Sequence, residues 1–346
     1  MTKQKVMKMV AHAALLALLA ATLAAFLTAC DGATPDSYVP NRPISVTLPP
    51  YGDSQNSADA QCQHRMQDVV TLEEGLVISA CTRCGYSDSG YRYYHARTDS
   101  NTLVRDEKII IRLSAEYRET TLNVRSDVTE VILVGSEGQT LDGLRINVGK
   151  RNTPFTVGLY NVNVVASESI IASTECAEPV TVKSYGTSCS LTTRTAASGG
   201  DGELEYVDFH TAQFANPGGD GRDAAHVIDV AGEVEVYAFC SLALTGGNGG
   251  QGGNGASHKK GPQYVAKNNG GNGGNGGDGG DAIHAGGTVT VYNSDFVTLT
   301  GGRGGNGGSG GAGGGGIYGS KDGQPGSRGN DGKTVCEFFA CGNTEN

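Results

Sequence analysis

Between Gly218 and Gly316 the chain writes one composite unit twice. The first copy runs Gly218-Gly-Asp-Gly-Arg-Asp-Ala-Ala-His226, then Val234-Glu-Val-Tyr237, Leu242-Ala-Leu-Thr245 and a glycine tract from Gly246. The second runs Gly276-Gly-Asp-Gly-Gly-Asp-Ala-Ile-His284, then Val289-Thr-Val-Tyr292, Val297-Thr-Leu-Thr300 and a tract from Gly301. A unit made of short strands plus a Gly-Gly-X tract predicts stacked turns in which each unit buries its apolar face against its neighbours. That pattern constrains the architecture far more than the ligand.

Short β segments continue the pattern upstream. Lys108-Ile-Ile-Ile-Arg-Leu113, Thr121-Leu-Asn-Val124, Glu130-Val-Ile-Leu-Val134, Leu144-Arg-Ile-Asn-Val148, the run 155–165, Val180-Thr-Val182 and Ser190-Leu-Thr-Thr193 are β-branched and divided by Gly, Asn, Asp and Ser. Such segments read as strands, and helical periodicity is nearly absent after the N-terminus. The spacing alone suits a sandwich or a coil-by-coil solenoid. Glycine, 54 of 346 residues, is present at about twice its usual share of roughly 7%. In the tracts it recurs with a period of three, the period of polyproline-II-type helices. Packed side by side, such helices bond N–H to C=O between neighbours; unpacked, they are flexible linkers.

The N-terminus reads as an export signal. Lys3, Lys5 and Lys8 precede an apolar run from Ala13 to Ala29, which ends Leu27-Thr28-Ala29-Cys30. This ending resembles the lipobox of bacterial lipoproteins, which implies cleavage before Cys30, diacylation of that cysteine and anchoring to the cell membrane, facing the periplasm or exterior. Residues 30–60 then form a Pro/Ser-rich tether, residues 61–102 a Cys/Tyr-rich cap, residues 103–200 solenoid coils, residues 201–335 Gly-rich coils and residues 336–346 a tail. Loss of residues 1–29 moves the net charge from −10 to −13. So acidic a chain without a basic run argues against nucleic-acid binding.

The rung-like succession Leu141-Asp-Gly-Leu-Arg-Ile146 and Val157-Gly-Leu-Tyr-Asn-Val-Asn-Val-Val165 resembles right-handed parallel β-helix proteins. The later copies resemble glycine-rich β-solenoid surface proteins of bacteria. The resemblance covers about residues 103–335. It implies an all-β parallel solenoid with polyglycine-II-like loops, asparagines stacked in the turns and aliphatic side chains inside.

Four sets of residues carry candidate chemistry. Asp220, Asp223, Asp278 and Asp281 fall in two Gly-Gly-x-Gly-x-Asp nonapeptides of the type that binds calcium in β-rolls, although tandem copies are needed there and these lie 58 residues apart. Calcium is the ion these acids would hold, and no cofactor is required. Cys62, Cys81, Cys84, Cys176, Cys189, Cys240, Cys336 and Cys341 are disulfide candidates in an exported chain, with Cys176–Cys189 and Cys336–Cys341 favoured by short loops. Cys62, His64, Cys81 and Cys84 also have the donor types of a zinc site, but export favours disulfides. Tyr86, Tyr91, Tyr93 and Tyr94 are candidates for stacking on sugars or for covering the first coil. His226 and His284, equivalent across the repeat, read as turn or strand-edge residues rather than catalysts.

These features predict a lipid-anchored envelope protein of structural, adhesive or glycan-binding type, without catalytic residues, whose partners are the membrane and a surface glycan or envelope protein. The alternative is a polysaccharide lyase or glycoside hydrolase, which right-handed β-helices often host. Against it, Glu130, Asp142 and Glu168 stand isolated, without the paired acids such chemistry needs.

Overall fold

The computed structural model describes residues 65–72, 76–81, 85–87, 89–94, 101–104, 107–115, 117–173, 175, 178–208, 211–258, 269–314 and 320–337. The signal segment, the tether, Cys30, Cys62, His64, Cys84, Cys176 and Cys341 lie outside the described residues.

The chain is all-β, with parallel sheets and no α-helix among the described residues. It opens with an antiparallel hairpin, β1 (Met66–Thr71) and β2 (Val77–Cys81). Strands β3 (Arg92–Tyr94), β4 (Asn101–Val104), β5 (Lys108–Arg112) and β6 (Thr121–Val124) then alternate between two sheets. The next rounds visit three sheets in rotation. They are β7 (Glu130–Val134), β8 (Thr140–Asp142) and β9 (Arg145–Val148), then β10 (Phe155–Tyr160), β11 (Asn163–Ala166) and β12 (Ile171–Ser173).

Strands β13 (Val180–Tyr185) and β14 (Ser188–Thr193) are followed by an antiparallel hairpin, β15 (Leu204–Asp208) with β16 (Thr211–Ala215), before β17 (Ile228–Val230) closes that round. The last rounds are β18 (Val234–Ala238), β19 (Ser241–Thr245) and β20 (Ile283–Ala285), then β21 (Val289–Tyr292), β22 (Val297–Thr300) and β23 (Val335–Glu337). Three parallel stacks result: β3-β5-β7-β10-β13-β18-β21, β8-β11-β14-β19-β22 and β4-β6-β9-β12-β17-β20-β23. This succession is compatible with a β-helix-like fold.

Register follows apolar matching. Phe155 pairs with Val180 and Val180 with Val234, and all three are fully buried. Alternate residues of each strand meet in one continuous core running from Ile109 to Ala285. At about 1.5–3 kcal/mol for each large aliphatic side chain, this core is the main stabilising contribution. The unbroken run Ile109-Ile-Ile111 has a separate cause. Ile109 and Ile111 face that core, whereas Ile110 joins Ile132, Val134, Tyr160 and Tyr185 in a second cluster with Val69, Val70 and Ile78 of the opening hairpin. The hairpin therefore covers the outer face of the first stack, and a strand buried on both faces reads as continuously apolar.

Two boundaries differ from the sequence expectation. Parallel pairing starts at β3, where Tyr93 pairs with Ile110, so part of the expected cap already belongs to the stacks. The hairpin β15–β16 interrupts the glycine-rich half, and nothing in the duplicated unit announces it.

In the tract triplet Gly276-Gly277-Asp278 all three backbone donors are satisfied. The Gly276 N–H donates to the Ser327 carbonyl at 2.9 Å and the Gly277 N–H to the Gly250 carbonyl at 2.8 Å. The Asp278 N–H donates to the side chain of Asp223 at 2.7 Å. A Cβ at Gly277 would lie 2.0 Å from the Arg222 carbonyl oxygen, so these chains approach too closely for any other residue. Asn147 Nδ2 donates to Asn123 Oδ1 at 2.9 Å, an asparagine stack between strands β9 and β6 and not in the turns that the resemblance implied.

Candidate functional site

The two nonapeptides are 58 residues apart, but the strands stack with an offset of 55. Ile228 pairs with Ile283, Asp229 with His284, Val234 with Val289 and Tyr237 with Tyr292. The glycine boxes are thus displaced by one triplet relative to the strands. A tract with period three tolerates such a slip without losing its ladder, whereas a strand with period two would turn its apolar face outward.

The slip decides what meets what. Asp220 Oδ1 accepts the Asn275 N–H at 2.6 Å, Asp223 Oδ1 the Asp278 N–H at 2.7 Å, and Asp278 Oδ1 the Asn330 N–H at 2.6 Å. Asn248, Asn254 and Asn272 cap Arg303, Ser309 and Gln324 in the same way. The carboxylates proposed for calcium are therefore spread along a ladder of backbone caps, and no three of the four converge. Sequence alignment of the boxes places Asp223 level with Asp281; the structure places it level with Asp278.

The next rung breaks the pattern. His226 takes the capping place, and its Nδ1 accepts the Asp281 N–H at 2.9 Å. His226 precedes β17, and Asp281 and His284 flank the start of β20, so one carboxylate is bracketed by two imidazoles from successive rounds. Asp281 Oδ2 lies 3.2 Å from His226 Nδ1 and 3.2 Å from His284 Nδ1, while Oδ1 accepts the Lys333 N–H at 2.6 Å. The two rings stack with centroids 4.4 Å apart. Burial opposes ionisation of Asp281, but the two imidazoles beside it and the Lys333 N–H hold its carboxyl far below the usual range. The same carboxylate raises His284, against partial burial. Sequence reading took both histidines for turn or strand-edge residues, and His284 does lie in β20, but it gave them no part in a site. The available signal was a histidine at the same place in both copies.

Chain Tyr86-to-Tyr94 splits on folding. Tyr93 is buried beneath the opening hairpin, which removes it from any exposed platform. Tyr86 and Tyr91 line a cavity of about 260 Å³ with Arg92, Glu107 and Lys108, and Tyr94 is exposed. A different aromatic pair forms an outward ladder: Tyr237 and Tyr292 stack at 4.1 Å with planes 9° apart, with Lys183 Nζ 5.7 Å from the Tyr237 ring. Beside it Tyr185 stacks on Phe239 at 5.4 Å.

No protein-family model, curated protein or solved structure matches this chain. Its reading therefore rests on its own geometry.

Among the cysteines, Cys189 is a buried thiol, which overturns the Cys176–Cys189 bridge. Its neighbour is the thiol of Cys240, to which it hydrogen-bonds. Loop closure ranks pairs by sequence separation, but stacking brings together residues one round apart. Cys81 is also buried, and Cys336 in β23 is disulfide-bonded.

Proposed function

We propose that this chain is a parallel β-helix with a polyglycine-II-like side layer, lipid-anchored at Cys30 in the bacterial envelope, serving as a non-enzymatic adhesive scaffold that contacts glycans. The observation that carries this reading is the ladder of tract side chains. Asp223, Asn248, Asn254, Asn272 and Asp278 each close a backbone donor of the following round rather than reach toward a substrate. Polar residues used in this way stiffen the scaffold.

The isolated acids are engaged too. Glu130 accepts the Tyr91 hydroxyl at 2.6 Å, Asp142 pairs with Arg194 at 2.6 Å, and Glu168 pairs with Arg145. None of these contacts places two carboxyls across a sugar bond, which favours binding over hydrolysis. Tyr292 stacks one ring face on Tyr237 and lies in the last strand of its sheet, which leaves its other face for a sugar to stack on.

The test is retention of the full chain on a panel of neutral and acidic polysaccharides, with released reducing ends and unsaturated products measured in parallel. Retention without product, weakened by Tyr237→Ala and Tyr292→Ala, supports the reading. Product formation sinks it in favour of a lyase or hydrolase. Cys30→Ala should move the chain from the membrane to the soluble fraction.

A further inference from the structure

The triplet slip places three ligand-type side chains together, as no other rung does among the described residues. The donor atoms of His226, Asp281 and His284 lie within 4.8 Å of one another. We propose that these residues form a binding site for a divalent transition metal of the zinc type, which clamps two successive rounds of the fold at the start of β17 and β20.

The donor set argues for this ion class. Two imidazoles and one carboxylate oxygen suit zinc, copper, nickel or iron(II), whereas calcium takes about six to eight oxygens. Around an ion with bonds of about 2.0–2.1 Å, tetrahedral donors stand about 3.3 Å apart. The two His Nδ1 atoms already lie 3.2 Å from Asp281 Oδ2, so both required nitrogen–oxygen edges exist.

The surroundings fix the ligands. Lys333 N–H holds Asp281 Oδ1 and so aims Oδ2 at the histidines, the outer-shell arrangement that orients a ligating carboxylate. Strand pairing of Asp229 with His284 sets both side chains on adjacent rungs, and the Asp229 charge adds to the field that attracts a cation. His226 Nδ1 accepts the Asp281 N–H, so it carries no proton, and an ion takes its lone pair by displacing that N–H. His284 becomes a ligand by moving its proton from Nδ1 to Nε2. The histidine side chains are each 28% exposed, which leaves a path for the ion and water for its remaining positions.

The position explains why the other capping rungs are not sites. Asp223 and Asp278 each accept one backbone N–H of the following round, without an imidazole beside them. Only where His226 replaces the capping acid does a nitrogen donor enter the ladder.

The experiment uses the full chain stripped with EDTA and titrated with zinc, cobalt(II) and calcium. Zinc binding at one equivalent attributable to this site, and d–d absorption from bound cobalt(II), are expected. His226→Gln and His284→Gln should each weaken zinc by at least about tenfold, while Asp278→Asn should leave it unchanged. Melting of each variant in EDTA checks that it folds as the parent does. Should a variant fail that check, copper(II) bound to the parent chain decides by electron paramagnetic resonance, where coupling to two imidazole nitrogens is expected. Unchanged zinc affinity in a folded His226→Gln/His284→Gln chain, calcium binding tighter than zinc, or a copper spectrum without imidazole nitrogen would overturn the proposal.

Discussion

Asp223 Oδ1 accepts the backbone N–H of Asp278 at 2.7 Å, and Asp278 Oδ1 passes the same bond to Asn330 at 2.6 Å. Asp278 is thus at once a capped donor and a capping acceptor. Asp223→Ala removes one link and should cost about 1 kcal/mol, read as a lower thermal midpoint. Asp223→Asn keeps the acceptor oxygen and should lie much nearer the parent. Equal losses for Ala and Asn would show that charge, not the cap, matters.

Glycine is required in the tracts by contact. A Cβ on Gly305 would sit 1.9 Å from the Gly250 carbonyl oxygen, but one on Gly200 meets nothing within 4 Å. Gly305→Ala should destabilise by about 3 kcal/mol or more through backbone displacement, whereas Gly200→Ala should change stability by less than about 1 kcal/mol. Urea titration of both variants measures the contrast.

Arg151 is nearly wholly buried, yet it lies in no helix or strand interior. Its Nη1 donates to the Val128 carbonyl at 2.7 Å, its Nη2 to the Arg125 carbonyl at 2.9 Å, and its guanidinium covers Phe155 at 4.2 Å. Arg151→Ala leaves two carbonyls without these donors and should cost about 3 kcal/mol. A denaturation midpoint equal to the parent's would refute that role.

Donation of a hydrogen bond to Cys240, followed by burial, raises the Cys189 thiol well above its ordinary value. Cys189 should therefore resist alkylation until the chain unfolds. Diamide takes two electrons and two protons from a pair of thiols, and in the folded chain it should join Cys189 to Cys240. Peptide mapping without reduction checks this, and a Cys176–Cys189 peptide would contradict it.

Loss of hydration, followed by hydrogen bonding with Tyr292, pushes the Tyr237 phenol up to about 12. Its neutral form is favoured in the folded state, so its contribution is fully present below the unfolded value of about 10 and is lost as pH rises through the folded value. Ultraviolet titration should show a late-ionising phenol that disappears in Tyr237→Phe and shifts earlier in Tyr292→Phe. An unchanged titration in both variants would show that the ring stack does not govern this hydroxyl.

Much of the architecture was legible from local pattern. Val234-Glu-Val-Tyr237 and Val289-Thr-Val-Tyr292 announce two strands in one position, and they do pair residue for residue. The three-residue glycine period announces neighbours close enough for backbone bonding, which Gly277 and Gly250 show. The tyrosine cluster was less legible. Tyr93 is buried because a hairpin from earlier in the chain covers the outer face of its stack, a contact that no local pattern encodes.

The sequence by itself determined that this protein builds β rungs with glycine tracts between them, because strand alternation and glycine period are properties of neighbouring residues. Only the tertiary structure decided which residues of one round face those of the next. The strands align at an offset of 55 while the glycine boxes repeat at 58, and a tract with period three accommodates the difference. That slip separates the four aspartates, sets Asp281 between His226 and His284, and turns a pattern read as calcium-binding into a capped ladder with one histidine-rich rung. The physical reason is that burial fixes strand register strongly, whereas the glycine layer bonds equally well at every third residue.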